Sequence, residues 1–172
     1  QVYYGCYQIA LVEAMKKILK PGDTFLDVGA HIGYLSAIGA SLVGREGQVH
    51  SFEPVPEYFR MLEKLSAMNP EHKIIVNKCA LDEKTGIAEI DYIGPARGGG
   101  ITMVPGFLDF HKVPKQDSIE IPVIRLDEYI QKNNLEKVTL IKIDVEGFEF
   151  PVLKGLQNYF ELRHVPRKEC LP

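Results

Sequence analysis

The first half of the chain alternates strand and helix signals, and that alternation constrains the fold more than any other feature. Residues 24–28 (TFLDV), 48–53 (QVHSFE) and 73–77 (KIIVN) are short runs that read as strands. Between them, residues 33–43 are apolar nearly all round, as expected of a helix packed on a sheet. A second helix is expected from Pro56, which suits a first helical turn, to Met68. A helix over 5–20 precedes them: Tyr7, Leu11, Ala14, Met15 and Ile18 recur at helical spacing until Pro21-Gly22. This β-α-β-α-β order predicts a parallel sheet with right-handed crossovers and helices on both faces.

The second half is less regular. Residues 87–93 alternate apolar and polar, the pattern of a strand with one wet face. Residues 94–117, with Gly98-Gly-Gly100 and little periodicity, read as a long loop. Its glycines suit a hinge, which makes it the candidate acceptor lid. Residues 118–125 read as an edge strand, because Pro122 cannot donate to a ladder. A short helix is expected over 126–133, a core strand over 138–144, and a last helix over 151–160, opened by Pro151.

At 172 residues the chain is expected to form a single domain, 1–172. A net charge of -3 argues against a nucleic-acid partner. Cys6, Cys79 and Cys170 fit neither a disulfide framework nor a zinc spacing, so reduced thiols in the cytoplasm are expected. No signal-peptide pattern opens the chain, and no apolar stretch approaches the ~20 residues of a membrane span. The chain does not begin with Met, which is expected of a processed or excised N-terminus.

The junction FLDVGAHIGY carries the chemistry. Gly29 and Gly33 bracket a turn that runs from strand into helix, a place where a ligand meets bare backbone and free N–H groups. A dinucleotide site wants G-x-G-x-x-G to reach a pyrophosphate. This chain has G-x-x-x-G, with Asp27 just before it. A carboxylate there repels a pyrophosphate and attracts an ammonium or sulfonium, which S-adenosylmethionine carries. Glu53 ends the second strand, about 20 residues beyond Gly33, where an acid accepts both ribose hydroxyls of either cofactor. Asn77, Cys79, Ala80 and Leu81 follow the third strand and are candidates for an adenine slot.

These residues sit within longer blocks: Leu19-Lys-Pro-Gly-Asp-Thr-Phe-Leu-Asp-Val-Gly-Ala30, Ser51-Phe-Glu-Pro-Val-Pro-Glu-Tyr-Phe59, Asn77-Lys-Cys-Ala-Leu81, Leu126-Asp-Glu-Tyr129 and Ile141-Lys-Ile-Asp-Val-Glu-Gly-Phe-Glu149. In this order they resemble the FkbM family of S-adenosylmethionine-dependent methyltransferases. The resemblance implies an α/β, Rossmann-like class I methyltransferase fold: a mostly parallel sheet with helices on both faces. It implies that Asp27, Gly29 and Gly33 hold the methionine moiety, with Ala30 and His31 on the same loop, and that Glu53 holds the ribose. It also implies methyl transfer to a hydroxyl oxygen of a small molecule, a sugar or secondary metabolite. Such sequences often carry Asn where this one has His31. They also continue with a further strand and a hairpin, so the sheet is expected to be cut short at its C-terminal strands. Either the chain is a fragment or a partner, such as a second copy, covers the open edge.

Asp144 is expected at the tip of the fourth core strand, with Glu146 two residues on and Lys142 before it on the same side. One reading has Asp144 or Glu146 orient or deprotonate the acceptor. The other has Asp144 cap a turn while Glu146 and Glu149 begin the last helix. A divalent ion on Asp144, Glu146 and Glu149 is a third use of the same acids, with no geometry to fix it. A nicotinamide-dependent oxidoreductase and a non-catalytic nucleoside-binding module are the rival functions.

Overall fold

The computed structural model describes residues 8–92, 101–102, 117–135 and 137–163. Helix α1 (Ile9–Ile18) leads into strand β1 (Thr24–Val28), helix α2 (Tyr34–Val43), strand β2 (Gln48–Phe52), helix α3 (Pro56–Met68) and strand β3 (Lys73–Asn77). Then come β4 (Ala80–Leu81), β5 (Gly86–Tyr92), β6 (Ile101–Thr102), β7 (Asp117–Ile124) and helix α4 (Leu126–Lys132). Strand β8 (Leu140–Ile143) and helices α5 (Glu149–Lys154) and α6 (Gln157–Arg163) follow.

Strands β3-β2-β1-β8 form one parallel sheet in that order. Successive strand side chains face opposite sides. Phe25 joins Met15, Leu35, Val43 and Val49 on the α1 and α2 side, whereas Leu26 and Val28 join Phe52, Leu126, Ile130 and Val152 on the other. Both faces are covered, which is why β1 is buried at every position and reads as an unbroken run. The fold is therefore α/β and Rossmann-like. From β1 the chain steps outward to β2 and β3, then returns to place β8 on the opposite flank of β1. The tips of β1 and β8 bound the crevice at this reversal, where open α/β sheets bind ligands.

A second sheet, in the order β4-β7-β5-β6, departs from the expected pattern. Strand β7 is interior, between β4 and β5, and is not an edge. Strand β4 pairs only with Val123 and Ile124, so the ladder ends before Pro122 and asks no N–H of it. Part of the expected long loop pairs as β6, while Gly98 to Gly100 lie outside the described residues. The expected last helix is two. Gly155 divides α5 from α6, its carbonyl accepts from Asp127 N–H at 3.0 Å, and a Cβ there would collide with the Asp82 carbonyl oxygen. On α1, Met15 is buried but Ile18 is 45% exposed, so the apolar stripe is narrower than its spacing implies. Strand β8 ends at Ile143, which puts Asp144 just beyond it.

Candidate functional site

The junction between β1 and α2 is held at successive peptides. The N–H groups of Gly29 and Ala30 both donate to the Phe52 carbonyl, at 3.1 and 3.0 Å. The His31 N–H donates to Glu53 Oε2 at 2.9 Å. Gly29, His31 and Gly33 all have positive φ, 73°, 52° and 86°. Glycine meets a steric need at two of these positions. A Cβ on Gly29 would strike the carbonyl oxygen of Asp144, and one on Gly33 would stand 2.7 Å from both Leu62 and Leu65 of α3. Helix α2 begins with no side-chain cap, so its first turn presents backbone N–H groups toward the crevice.

Beneath the loop lies a row of buried polar side chains. Register sets Ser51, Asp27 and Lys142 side by side on β2, β1 and β8. Ser36 of α2 donates to Asp27 Oδ2 at 2.6 Å and accepts from Ser51 at 2.8 Å. Lys142 Nζ donates to the carbonyls of Val28 (3.1 Å) and Gly29 (2.7 Å). It also stands 3.1 Å from Asp27 Oδ1, an ion pair not aligned as a hydrogen bond. Asp27 is wholly buried and does not reach the cavity wall, contrary to a direct contact with the methionine end. The ammonium beside it is internal.

Glu53 occupies the tip of β2. Its Oε1 accepts the Val55 N–H at 2.9 Å and its Oε2 accepts that of His31. Each oxygen keeps a second lone pair. Burial pushes its carboxyl up to about 7, against the two N–H donors and Lys142, which pull it down. Beside it, the rings of His31 and Tyr58 lie 3.9 Å apart. Burial and the Lys142 charge lower the His31 pKa, opposed by Asp144, so the imidazole is neutral near pH 7. Burial pushes the Cys79 thiol up to about 12, which makes it unreactive.

A cavity of about 380 Å³ opens between these parts. Of the residues singled out in the sequence, Gly29, Ala30, His31, Glu53, Cys79, Ala80, Leu81, Lys142, Asp144 and Glu146 line it. Asp27, Gly33 and Asn77 do not. Gly33 is packed under α3, and the Asn77 amide donates to the Ser51 carbonyl at 3.1 Å. Tyr58 and Phe148 line the cavity without having been singled out. Their signal was present: each follows a strand tip by a few residues, inside a quoted motif block.

Asp144 and Glu146 are exposed at the mouth. The Asp144 N–H donates to the Val28 carbonyl at 3.2 Å, continuing the β1–β8 ladder. Glu146 has φ 51°, followed by Gly147 at 91°. A left-handed glutamate is uncommon and points to a constrained loop. Glu149 instead turns inward, accepting from the N–H groups of Val145 (3.1 Å) and Gly147 (3.3 Å). Burial raises its pKa, but backbone donors outweigh this and hold it below the usual carboxylate value. Glu149 therefore starts α5, as the second reading expected of it. Among the described residues, no three His, Cys, Asp or Glu side chains converge to hold a metal, and no helix is long and apolar enough to cross a membrane.

The family pattern described as Methyltransferase FkbM domain matches residues 27–166. The 31-O-demethyl-FK506 methyltransferase FkbM of Streptomyces tacrolimicus is 29% identical over 164 residues, 81% of this chain and 62% of that protein. The hexuronic acid methyltransferase AglP of Haloferax volcanii is 30% identical over 136 residues, 79% of this chain and 51% of that protein. Methyltransferase FkbM from Methylobacillus flagellatus has a similar fold, with a TM-score of 0.55 at 20% identity over 90% of this chain and 38% of that one. The chain thus spans between about half and two thirds of these curated relatives. The family match takes in the glycine junction, Glu53 and the β8 tip, and the chain belongs to the FkbM family of methyltransferases.

Proposed function

We propose that the chain binds S-adenosylmethionine and transfers its methyl group to a hydroxyl oxygen of a sugar or secondary metabolite. One observation carries the cofactor reading: Glu53 is held by two backbone N–H groups on the cavity wall, with a lone pair left on each oxygen. Two adjacent ribose hydroxyls match that acceptor pair. The other parts fit the rest of the molecule. Gly29 allows close approach, the first turn of α2 offers N–H groups to a carboxylate, and Cys79 to Leu81 give apolar contact for adenine. Nothing in this set asks for a pyrophosphate.

When bound, S-adenosylmethionine supplies a methyl carbon activated by a sulfonium. Glu53 and the loop set its position, and positioning contributes much of the rate of an in-line displacement. Asp144, exposed at the mouth and facing His31, accepts a hydrogen bond from the acceptor hydroxyl or takes its proton. Glu146 is the second carboxylate within the same rim. Relatives named for a 31-O-demethyl compound and for a hexuronic acid support a hydroxyl-bearing acceptor.

Calorimetric titration with S-adenosylhomocysteine, and with NADH as control, tests the reading. Binding of S-adenosylhomocysteine alone supports it. Preference for NADH, or binding of neither by a cooperatively folded sample, contradicts it.

A further inference from the structure

Lys142 is placed where a catalytic group is expected, yet its ammonium is directed inward. We propose that Lys142 is a positioning residue. With Asp27, Ser36 and Ser51 it forms a buried relay that sets the cofactor loop before any ligand arrives. The proposal rests on the cofactor reading above.

Four observations converge on it. Asp27, Ser36 and Ser51 are fully buried, and Lys142 is 9% exposed. Such groups are tolerated only when paired, and each of these has a polar neighbour in the row. The row spans β2, β1, β8 and α2, so it ties the three central strands to the helix that follows the loop. Finally, Lys142 Nζ donates to the last carbonyl of β1 and the first of the loop, at 3.1 and 2.7 Å.

The consequence is a loop fixed from two sides. The carbonyls of Val28 and Gly29 are held by Lys142, while the N–H groups of Gly29, Ala30 and His31 are held by Phe52 and Glu53. A loop held in this way does not have to be ordered when the ligand binds, which favours affinity. The Lys142 charge is balanced by Asp27, so it does not confront a sulfonium across the wall. A proton-transfer role for Lys142 would require it to leave these partners.

The test compares wild type, Lys142→Met and Lys142→Met/Asp27→Asn by thermal unfolding and by calorimetric titration with S-adenosylhomocysteine. The single variant leaves a buried carboxylate without its cation, so its Tm falls. The double variant removes both charges but still lacks the donor to Val28 and Gly29. It is expected to regain most of the lost Tm and to remain about tenfold or more weaker for S-adenosylhomocysteine. Recovery of affinity together with Tm would overturn the proposal, because Lys142 would then only stabilise the fold. Absence of binding by the wild type would overturn the cofactor reading itself, and this proposal with it. Should neither Lys142 variant fold, Ser36→Ala decides, since it removes two hydrogen bonds of the row and no charge. Faster hydrogen exchange at Gly29 to His31 upholds the proposal, and unchanged exchange overturns it.

Discussion

The backbone of Gly29 lies so close to the carbonyl oxygen of Asp144 that no side chain fits between them. The floor of the crevice is therefore direct backbone contact between the tips of β1 and β8. Gly29→Ala must open this contact and also place alanine at φ 73°. The expected cost is about 2–4 kcal/mol, from left-handed strain and overpacking together. Urea denaturation checks the stability, and titration with S-adenosylhomocysteine should show weakened binding. A variant with wild-type stability and affinity would mean that the two tips separate easily.

Two buried groups give the stability opposing dependences on pH. Glu53 is raised from 4.5 to about 7 by burial, so the folded chain holds its proton more tightly than the unfolded chain. That contribution is complete below pH 4.5 and is lost as the pH rises to about 7. His50 is displaced the other way, from 6.5 to about 4, by burial among core residues. Its contribution is present above pH 6.5 and is lost as the pH falls toward 4. Relative to wild type, Glu53→Gln should make stability climb more steeply with pH across this interval. His50→Phe should do the reverse. The slope of urea-derived stability against pH is the readout, and slopes changed in the same direction would contradict the assignment.

The same carboxylate makes ligand binding depend on pH. Ribose hydroxyls donate to the ionised form, so binding competes with the proton on Glu53. Affinity for S-adenosylhomocysteine should weaken as the pH drops through about 7, the value to which burial raises Glu53. In Glu53→Gln it should be weaker throughout and flatter. His31, Lys142, Asp27 and Tyr58 surround the group, and burial and the Lys142 charge lower the pKa of His31 itself. Calorimetric titrations across the pH range check this.

Asp144 and Glu146 separate by kinetics. Asp144→Asn should lower kcat by about 10²–10⁴, the range of a general base, and leave affinity for S-adenosylhomocysteine within severalfold. Glu146→Gln should have the smaller effect, since its left-handed backbone ties it to loop shape as well as to the cavity. Turnover on an acceptor found by screening is the measurement. Normal turnover in both variants would remove the catalytic role from this rim.

Much of the site was legible because it depends on local chemistry. Strands 24–28 and 73–77 and the helix from Pro56 to Met68 have the bounds that their runs and breakers imply. Gly29 and Glu53 stand where a strand-turn-helix junction and a strand tip must put them. What was illegible depends on partners distant in the chain. Asp27 looks available in sequence, and only its register beside Lys142 shows that its cation is supplied internally. Pro122 suggests an edge, and only the shortness of β4 shows how β7 accommodates it inside a sheet. Gly155 looks like an ordinary helix residue until Asp82 and Asp127 are seen against it.

The most direct test is the crystal structure of the chain with S-adenosylhomocysteine. The account predicts both ribose hydroxyls on Glu53, the amino-acid end over the Gly29 loop and the first turn of α2, and Lys142 still on Val28 and Gly29. A ligand seated elsewhere, or one whose ribose makes no contact with Glu53, would contradict it.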